Sequence, residues 1–382
     1  MANYDYEIIN GRKIRVRPKE TVSEIDKNGY FRRQPNHFTT PFGDGENDLK
    51  AEGNKRYRLV WAKLCHWSNR AAIVRELEGL EDQISVNMVE HAPHEKNLGW
   101  EYIYNENNID PVLGDQFLSE AYYRADDDYQ GRTTVPALID TTTGKVVNND
   151  YNWLTTYFEV NFRPWHKKGA PELYPVELRE EIDKMNLWLF DNINNAVYRS
   201  SFSRSNEGHF DGVNTFYAAM DRLEKRLETN RFIFGDYVTD SDIRLYVTLA
   251  RLDIRYTTQL GETKRPLYTY KNLWGYAKEL WEIPAFAHHT DFAAIIRQGR
   301  IEGEEDGFRA STHYDLALPK IDWDAQWKVS TERAYLSSDP THPIYLGNNR
   351  RFDIDPTWYD LGAESPKKEE KETPPSCGCC CG

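Results

Sequence analysis

Hydrophobic and polar positions follow two periods along the chain, and the first part of the chain contains both. The run RYRLVWAKLC ends at Cys65 and has strand-forming residues, as does ISVNMVE at 84–90. Between them, from Trp67 to Leu80, apolar residues recur at helical spacing. The runs ALID and KVV, within 133–149, flank a turn that ends in glycine and predict a hairpin. The pattern therefore predicts strand, helix, strand and hairpin in that order.

A helix is expected to begin near Asp150, which completes the order typical of a thioredoxin-like domain. From Val176 to about residue 297 the apolar positions follow helical spacing throughout. Here Thr239 is followed three residues later by Asp242, a capping-box pattern in which each side chain satisfies an unpaired N–H at a helix start. We interpret both residues as structural and expect an all-helical second domain.

These patterns divide the 382 residues into six parts. An α/β thioredoxin-like domain and an all-α domain form the folded body, and the other parts are polar or rich in turn formers. The predicted parts are an N-terminal extension at 1–56, the thioredoxin-like domain at 57–160 with an insertion at 91–131, a linker at 161–175, the helical domain at 176–300, a C-terminal extension at 301–360 and a cysteine-rich tail at 361–382 with the composition of a disordered segment.

The net charge of −13 argues against a nucleic-acid surface as the main function. No run approaches the roughly 20 consecutive apolar residues of a membrane span, and the N-terminus lacks the apolar segment of an export signal. We therefore expect neither a nucleic-acid partner nor a membrane partner. The 24 Tyr and 11 Trp can fill a core or line a site for flat organic ligands.

The five cysteines are unevenly placed along the chain. Cys65 stands alone in the folded body, whereas the other four lie between positions 377 and 381. This distribution cannot form a disulfide framework across the body, so a cytoplasmic location is expected. The tail thiols can bind a soft metal ion, receive lipid or react with oxidants. Their spacing is too tight for a structural zinc site, and we expect no metal and no catalytic role for them.

Cys65 has two interpretations, a small buried core thiol or a nucleophile. A thiol at the first turn of a helix faces unpaired N–H groups and the positive end of the helix dipole, and both stabilise a thiolate. His66 and Arg70 can add positive potential if they point toward the sulfur. Because position 68 is Ser68, there is no Cys-x-x-Cys pair, and a second thiol has to come from outside. The motifs around Cys65 favour the nucleophile.

Five motifs carry a resemblance to a known family. They are Cys65 with Trp67, GW at 99–100, TVP at 134–136, TDSDIRL at 239–245 and YKNLWGY at 270–276. Together, from about residue 31 to about 296, they resemble the glutathionyl-hydroquinone reductases, the xi class of the glutathione S-transferases. The resemblance implies the two-domain glutathione S-transferase fold, a homodimer and a mechanism with one cysteine. It also implies glutathione as the thiol cosubstrate. Because this chain departs from the family pattern at several positions, bacillithiol or another small thiol is the alternative.

The resemblance also implies roles for individual residues. Cys65 would be the nucleophile, and Tyr198 and Tyr256 would supply or orient a proton for the leaving group. Val135 would present its backbone to the thiol peptide beside a cis peptide bond at Pro136. The other residues implied in glutathione binding are Trp100, Arg132, Thr134, Asp150 and Tyr151, with Asp150 holding the γ-glutamyl ammonium group. Without the resemblance, Trp100 is a packed surface aromatic, Arg132 a solvated charge and Asp150 a helix cap.

Several positions depart from the family pattern. The family's proline after the cysteine is His66 in this chain, and the alanine after the tryptophan is Ser68. Its Glu-Ser pair at the glutamyl end of the ligand is Asp150 and Tyr151, where the bulkier phenol can narrow the subsite. A further family tyrosine falls at Gly299.

The expected reaction is thiol-dependent reductive deglutathionylation of a small aromatic or quinone-derived thioether. An omega-like thioltransferase or a dehydroascorbate-type reductase that uses the same cysteine is the first alternative. A thiol-binding scaffold that has lost turnover is the second alternative, and Tyr151 and Gly299 are the residues that favour it.

Overall fold

The computed structural model describes residues 5–16, 23–91, 98–261, 265–301 and 322–338. The predicted cysteine-rich tail at 361–382 lies outside these ranges, as does most of the predicted C-terminal extension. The side chains at 297–301 are not described either, and this range includes Gly299, where the family tyrosine falls. The described chain begins with an antiparallel hairpin of β1 (Tyr6–Ile9) and β2 (Arg12–Arg15).

A four-stranded mixed sheet forms the core of the first domain. The strands after the hairpin are β3 (Tyr57–Trp61), β4 (Ile84–Met88), β5 (Glu90–His91), β6 (Trp100–Glu101), β7 (Ala137–Asp140) and β8 (Lys145–Asn148). The order in the sheet is β4-β3-β7-β8, with β3 parallel to β4 and antiparallel to β7. β7 and β8 form an antiparallel hairpin. The predicted strands, hairpin and thioredoxin-like order are thus confirmed.

Helices make up most of the remaining structure, and the second domain is helical as predicted. They are α1 (His66–Leu77), α2 (Leu118–Ala125), α3 (Leu154–Val160), α4 (Arg179–Leu189), α5 (Ala196–Phe202), α6 (Asn206–Arg226), α7 (Asp240–Arg251), α8 (Thr257–Gln259), α9 (Lys271–Trp281), α10 (Pro284–His288), α11 (Phe292–Ile301) and α12 (Trp323–Trp327). Two π-helical turns, Phe190–Asn194 and Leu252–Tyr256, interrupt them. In the described ranges, none of these helices has the length and apolar character needed to cross a bilayer.

Helix α1 is the crossover that joins the parallel strands β3 and β4. Its apolar residues Ala71, Ile73 and Val74 are at most 1% exposed. The helix packs against α3 and against α7 and α10 of the helical domain. Because α1 contacts both domains, the residue at its N-terminus lies where the two domains meet.

Helix α7 is buried along its whole length. The predicted capping box is present at its start, where the Thr239 N–H donates to Asp242 Oδ2 at 2.8 Å. Asp242 Oδ1 also accepts hydrogen bonds from the Ile233 N–H at 2.9 Å and the Tyr276 hydroxyl at 2.8 Å. One buried carboxylate therefore fixes the helix start to two other segments of the helical domain.

The region 91–131, predicted as an insertion in the thioredoxin-like domain, contains helix α2. Glu120 caps this helix by accepting hydrogen bonds from the N–H groups of Gln116 and Phe117, at 2.8 and 3.1 Å. Leu118 and Tyr122 are fully buried in the same apolar cluster as Cys65. The sequence pattern does not predict α2 because eight residues give too short a periodic run.

Replacing Asp242 by alanine is expected to lower the free energy of unfolding by about 3 kcal/mol. The change removes the helix cap and leaves the buried Ile233 N–H and Tyr276 hydroxyl without their acceptor. Unfolding in urea measures the effect, with Asp44→Ala at an exposed position as the control. The control is expected to change stability by less than about 0.5 kcal/mol. Equal losses in both variants would contradict the role assigned to Asp242.

Candidate active site

Cys65 occupies the N-terminal end of α1, directly before the first helical residue. Its N–H donates to the Ala62 carbonyl at 3.0 Å, and its own carbonyl accepts from the Asn69 N–H at 3.0 Å. The residue is 9% exposed, and its thiol donates to the Val135 carbonyl at 3.6 Å. Cys65 is therefore nearly buried, but it lies at the helix position that the nucleophile interpretation requires.

The segment that faces Cys65 carries the TVP motif. The Val135–Pro136 peptide bond is cis, as predicted. Tyr122 fixes the preceding residue, because its hydroxyl donates to the Thr134 carbonyl at 2.7 Å and lies 3.2 Å from the Thr134 N–H. The Val135 backbone is thus held against the thiol by the insertion helix α2.

Trp100 and Arg132 both have partners within the protein. The Trp100 indole N–H donates to the Thr133 carbonyl at 3.1 Å, and its ring stacks on His91 at a centroid distance of 4.1 Å. Arg132 forms a bidentate ion pair with Glu24, through Nε at 2.8 Å and Nη2 at 3.0 Å. Trp100 therefore supports the segment at 133–136. Arg132 uses one edge of its guanidinium for Glu24, which leaves Nη1 on the other edge.

Asp150 begins the turn before α3, and the helix itself begins four residues later at Leu154. The prediction of a helix start near Asp150 is therefore early. Asp150 Oδ1 accepts hydrogen bonds from the Asn152 N–H at 3.0 Å and from Asn36 Nδ2 at 2.9 Å. Aspartate favours such turns because its side chain bonds the backbone two residues further on. These two contacts use Oδ1.

An aromatic group lies beside Cys65. The rings of Trp67 and Tyr151 are 4.5 Å apart between centroids, and the ring of Tyr198 is stacked 6.4 Å from Trp67. Cys65, Trp67 and Tyr151 belong to one buried apolar cluster. Tyr151, which the sequence places in the glutamyl subsite, therefore covers the tryptophan next to the thiol.

The N-terminal arm (residues 23–38) contacts this group from outside. Arg33 lies over the Tyr198 ring at 4.3 Å, and its Nε donates to Asn195 Oδ1 at 2.9 Å. The arm also supplies Glu24 to Arg132 and Asn36 to Asp150. The sequence interpretation missed this role for the arm, although the FRR motif at 31–33 marks the start of the family resemblance.

His66 is fully buried and electrically neutral. Its Nδ1 lies 3.0 Å from the Tyr256 hydroxyl and 3.5 Å from Thr248 Oγ1. Burial lowers the pKa of His66 well below its usual value of 6.5, and the charges of Arg251 and Arg33 lower it further. The expectation that His66 adds positive potential at Cys65 is therefore wrong. A neutral imidazole instead orients the Tyr256 hydroxyl.

Arg70 does not supply that potential as a free charge either. Its Nη2 pairs with Asp240 Oδ2 at 3.1 Å, and both side chains are at most 1% exposed. Its Nη1 donates to the Tyr151 carbonyl at 2.8 Å. Arg70 therefore holds the Asp150–Tyr151 turn in place, and its charge is neutralised by the helical domain.

Tyr198 and Tyr256 both contact His66, the residue after Cys65: the centroid of the Tyr198 ring lies 5.3 Å from that of the imidazole, and the Tyr256 hydroxyl lies 3.0 Å from its Nδ1. Burial and then the Cys65 sulfur raise the pKa of Tyr198, against the opposing charges of Arg33 and Arg251. Burial raises the pKa of Tyr256 well above its usual value of 10. Both phenols therefore keep their protons at neutral pH and can donate them. Over the ranges that the structure covers, no three His, Cys, Asp or Glu side chains come together in a way that could hold a metal ion.

Comparisons with known proteins show which family this chain resembles. Residues 197–279 match the family of the glutathione S-transferase C-terminal domain. The chain is 34% identical over 280 residues to glutathione S-transferase omega-like 2 of Schizosaccharomyces pombe, which covers 70% of this chain and 88% of the relative. It is 33% identical over 240 residues to the glutathionyl-hydroquinone reductase YqjG of Escherichia coli, which covers 63% of this chain and 73% of the relative.

Solved structures of similar proteins share the fold. The glutathione-bound structure of Escherichia coli YqjG matches with a TM-score of 0.61 at 32% identity, over 70% of this chain and 87% of that chain. A glutathione transferase from Gordonia bronchialis matches with a TM-score of 0.69 at 32% identity, over 78% of this chain and 90% of that chain.

The buried, neutral His66 predicts that stability depends on pH. Below about pH 6.5 the unfolded chain binds a proton at His66 and the folded chain does not, so the free energy of unfolding falls by up to about 1.4 kcal/mol per pH unit. His66→Asn removes this titration and keeps polar atoms beside Tyr256. Urea unfolding at about pH 7.5 and about pH 5.5 is expected to show the variant gaining relative to wild type at the lower pH. An unchanged difference between the two proteins would contradict a neutral His66.

Proposed function

Because this chain belongs to the glutathionyl-hydroquinone reductases, the xi class of the glutathione S-transferases, we propose that it reduces glutathione conjugates of small aromatic or quinol compounds. Glutathione is the cosubstrate. The observation that carries the proposal is the position of Cys65 at the first turn of α1, against the Val135 carbonyl and beside two phenols that keep their protons.

The reaction proceeds through a mixed disulfide. The Cys65 thiolate attacks the sulfur of the conjugate, so that a sulfur–sulfur bond forms and the bond from sulfur to the aryl carbon breaks. The electron pair of that bond leaves with the aryl carbon, which takes up a proton. The thiolate of a second glutathione then attacks the glutathionyl sulfur, which releases Cys65 and forms glutathione disulfide. The conjugate gains two electrons, and the two glutathione sulfurs are oxidised to the disulfide.

The second thiol has to come from solution because the residue three positions after Cys65 is Ser68. Tyr256 or Tyr198, which burial keeps protonated, supplies or orients the proton for the aryl carbon, and the second glutathione thiol replaces this proton when it ionises. The bond between the Tyr256 hydroxyl and His66 Nδ1 fixes the direction of one of these phenols. The aromatic group around Trp67 offers a flat, apolar surface for the leaving ring.

Glutathione lies along the segment at 132–136 in this proposal. Its extended backbone pairs with Val135, next to Thr134 and Pro136, as an added strand does. Arg132 Nη1 is available to a ligand carboxylate while its other edge stays paired with Glu24. The Asp150 carboxylate receives the ammonium group through Oδ2, because its contacts to the arm and the turn use Oδ1. Trp100 and Tyr151 close the two ends of this site.

We further propose that the protein works in the cytoplasm as a homodimer. The second step consumes reduced glutathione, which a reducing compartment maintains.

Bacillithiol is the alternative to glutathione as the thiol, and Tyr151 in the glutamyl subsite is the residue that would select between the two thiols. The E. coli relative is named for glutathionyl-hydroquinone reduction, and the S. pombe relative for an omega-like transferase.

Cys65→Ser is expected to abolish glutathione-dependent reduction of glutathionyl-menadione, with at least a 1000-fold loss of kcat/KM, since no other residue replaces the nucleophile. The assay follows oxidation of glutathione by coupled NADPH consumption. A variant with Cys377, Cys379, Cys380 and Cys381 replaced by serine is the matched control and keeps the wild-type rate. A full rate in Cys65→Ser, or loss of the rate in the tail variant, would contradict the assignment.

The same assay distinguishes our proposal from the thioltransferase alternative, which the names of the omega-like relatives favour. In our proposal, glutathionyl-menadione is turned over faster than a small glutathione mixed disulfide. The reverse order would assign the protein to thiol transfer with the same cysteine. A folded protein without turnover on either substrate would leave the scaffold alternative.

A further inference from the structure

Arg251, the last residue of α7, has an unusual set of partners. It is 1% exposed, and its guanidinium reaches across the domain boundary to the turn that precedes Cys65. Its Nε donates to the Leu64 carbonyl at 3.0 Å, and its Nη2 donates to the Lys63 carbonyl at 3.2 Å. It also bonds the side chain of Asn69, in the first turn of α1. The cation is therefore attached to both sides of Cys65 in the chain.

A buried guanidinium normally has a carboxylate partner, because an unpaired charge is costly to remove from water. Arg75, whose Nε and Nη2 donate to two backbone carbonyls, is an exception, but several other buried arginines of this protein follow the rule. Examples are Arg58 with Asp110, Arg70 with Asp240 and Arg231 with Glu279. For Arg251, the hydrogen bonds within the described residues go to backbone carbonyls and one amide oxygen, and these partners carry no negative charge.

The acidic groups around Arg251 are a thiol and several phenols. The charged and titratable groups around the Cys65 site include three arginines, one histidine and four tyrosines. They are Arg33 of the N-terminal arm, His66 of α1, Tyr151 of the turn before α3, Tyr198 of α5, Tyr246 and Arg251 of α7, and Arg255 and Tyr256 of the following turn. Burial raises the pKa of Tyr198, of Tyr246 and of Tyr256, so these phenols stay neutral. A thiol ionises at lower pH than a phenol. Among these groups, Cys65 is the one that Arg251 brackets in the chain, through Leu64 on one side and Asn69 on the other.

We propose that Arg251 is the positioning residue that stabilises the Cys65 thiolate, by holding the turn at Lys63–Leu64 and by placing its charge at the start of α1. The inference rests on the proposed role of Cys65 as the nucleophile. The sequence suggested His66 and Arg70 as sources of positive potential at Cys65. In this proposal, Arg251 of the helical domain supplies that potential instead. Arg33 and Arg255 are the other cations named above, and Arg33 is engaged with Asn195 and the ring of Tyr198.

The test is the pH dependence of Cys65 alkylation by iodoacetamide in the full chain, with the modified peptide quantified by mass spectrometry. Arg251→Gln is expected to move the midpoint of this dependence upward by about one pH unit, which is about a tenfold lower rate near neutral pH. Arg251→Lys keeps the charge and is expected to stay within about 0.3 of a pH unit of wild type. A wild-type profile in Arg251→Gln would overturn the proposal.

Arg75 provides a matched control at the other end of the same helix. It is 7% exposed, and its Nε and Nη2 donate to the Ile84 and Glu81 carbonyls at 2.7 and 3.0 Å. Arg75→Gln removes a similar buried cation and is expected to leave the alkylation profile unchanged. Equal shifts in Arg75→Gln and Arg251→Gln would also overturn the proposal, because a general loss of packing would then explain both.

A folded substitute is needed if Arg251→Gln does not fold. Arg251→Met, which is apolar and unbranched, is then measured in the same way. If neither folds, Arg251→Lys decides, since a midpoint close to wild type supports the proposal and a larger shift overturns it. Alkylation is measured without turnover. A wild-type protein that alkylates normally but does not reduce glutathionyl-menadione would therefore refute the proposed function and leave the assignment of Arg251 to its own result.

Discussion

Both ends of helix α7 contact the N-terminal part of helix α1, and the site depends on these two contacts. At the start of α7, Asp240 pairs with Arg70 in the second turn of α1. At the end of α7, Arg251 bonds the carbonyls of the turn that leads into α1. The Arg70–Asp240 pair is buried, and breaking a buried ion pair by removing one partner costs about 3–5 kcal/mol. The thiol at the start of α1 is thereby fixed between the sheet and the helical domain. Both domains are needed to position it.

The chemistry of the site follows from which charges are neutralised. His66 is neutral because it is buried, and Arg70 is neutralised by Asp240, so neither acts on Cys65 as a free cation. Tyr198 and Tyr256 stay protonated for the same reason that His66 stays neutral, since desolvation disfavours the charged form of each group. The result is a nearly buried sulfur surrounded by proton donors and aromatic rings. This environment suits attack on a thioether whose aryl group leaves with a proton.

Features that depend on neighbouring residues could be predicted from the sequence, and features that depend on distant residues could not. The strands around α1, the hairpin, the cis bond at Pro136 and the cap at Thr239 each have a signal within a few residues or in a family motif. The ion pair between Glu24 and Arg132 joins residues 108 positions apart, and the bond from Arg251 to Leu64 spans 187 positions. No spacing rule connects such residues. The neutral state of His66 was missed for the same reason, because burial is a property of the packed structure.

The central claim is that Cys65 carries the glutathionyl group during turnover. The direct measurement is intact-mass analysis of the full chain after brief exposure to glutathionyl-menadione without free glutathione, followed by peptide mapping. We predict one glutathione adduct on the peptide that contains Cys65, removed by added glutathione. The absence of an adduct, or an adduct confined to the peptide with Cys377–Cys381, would contradict the account.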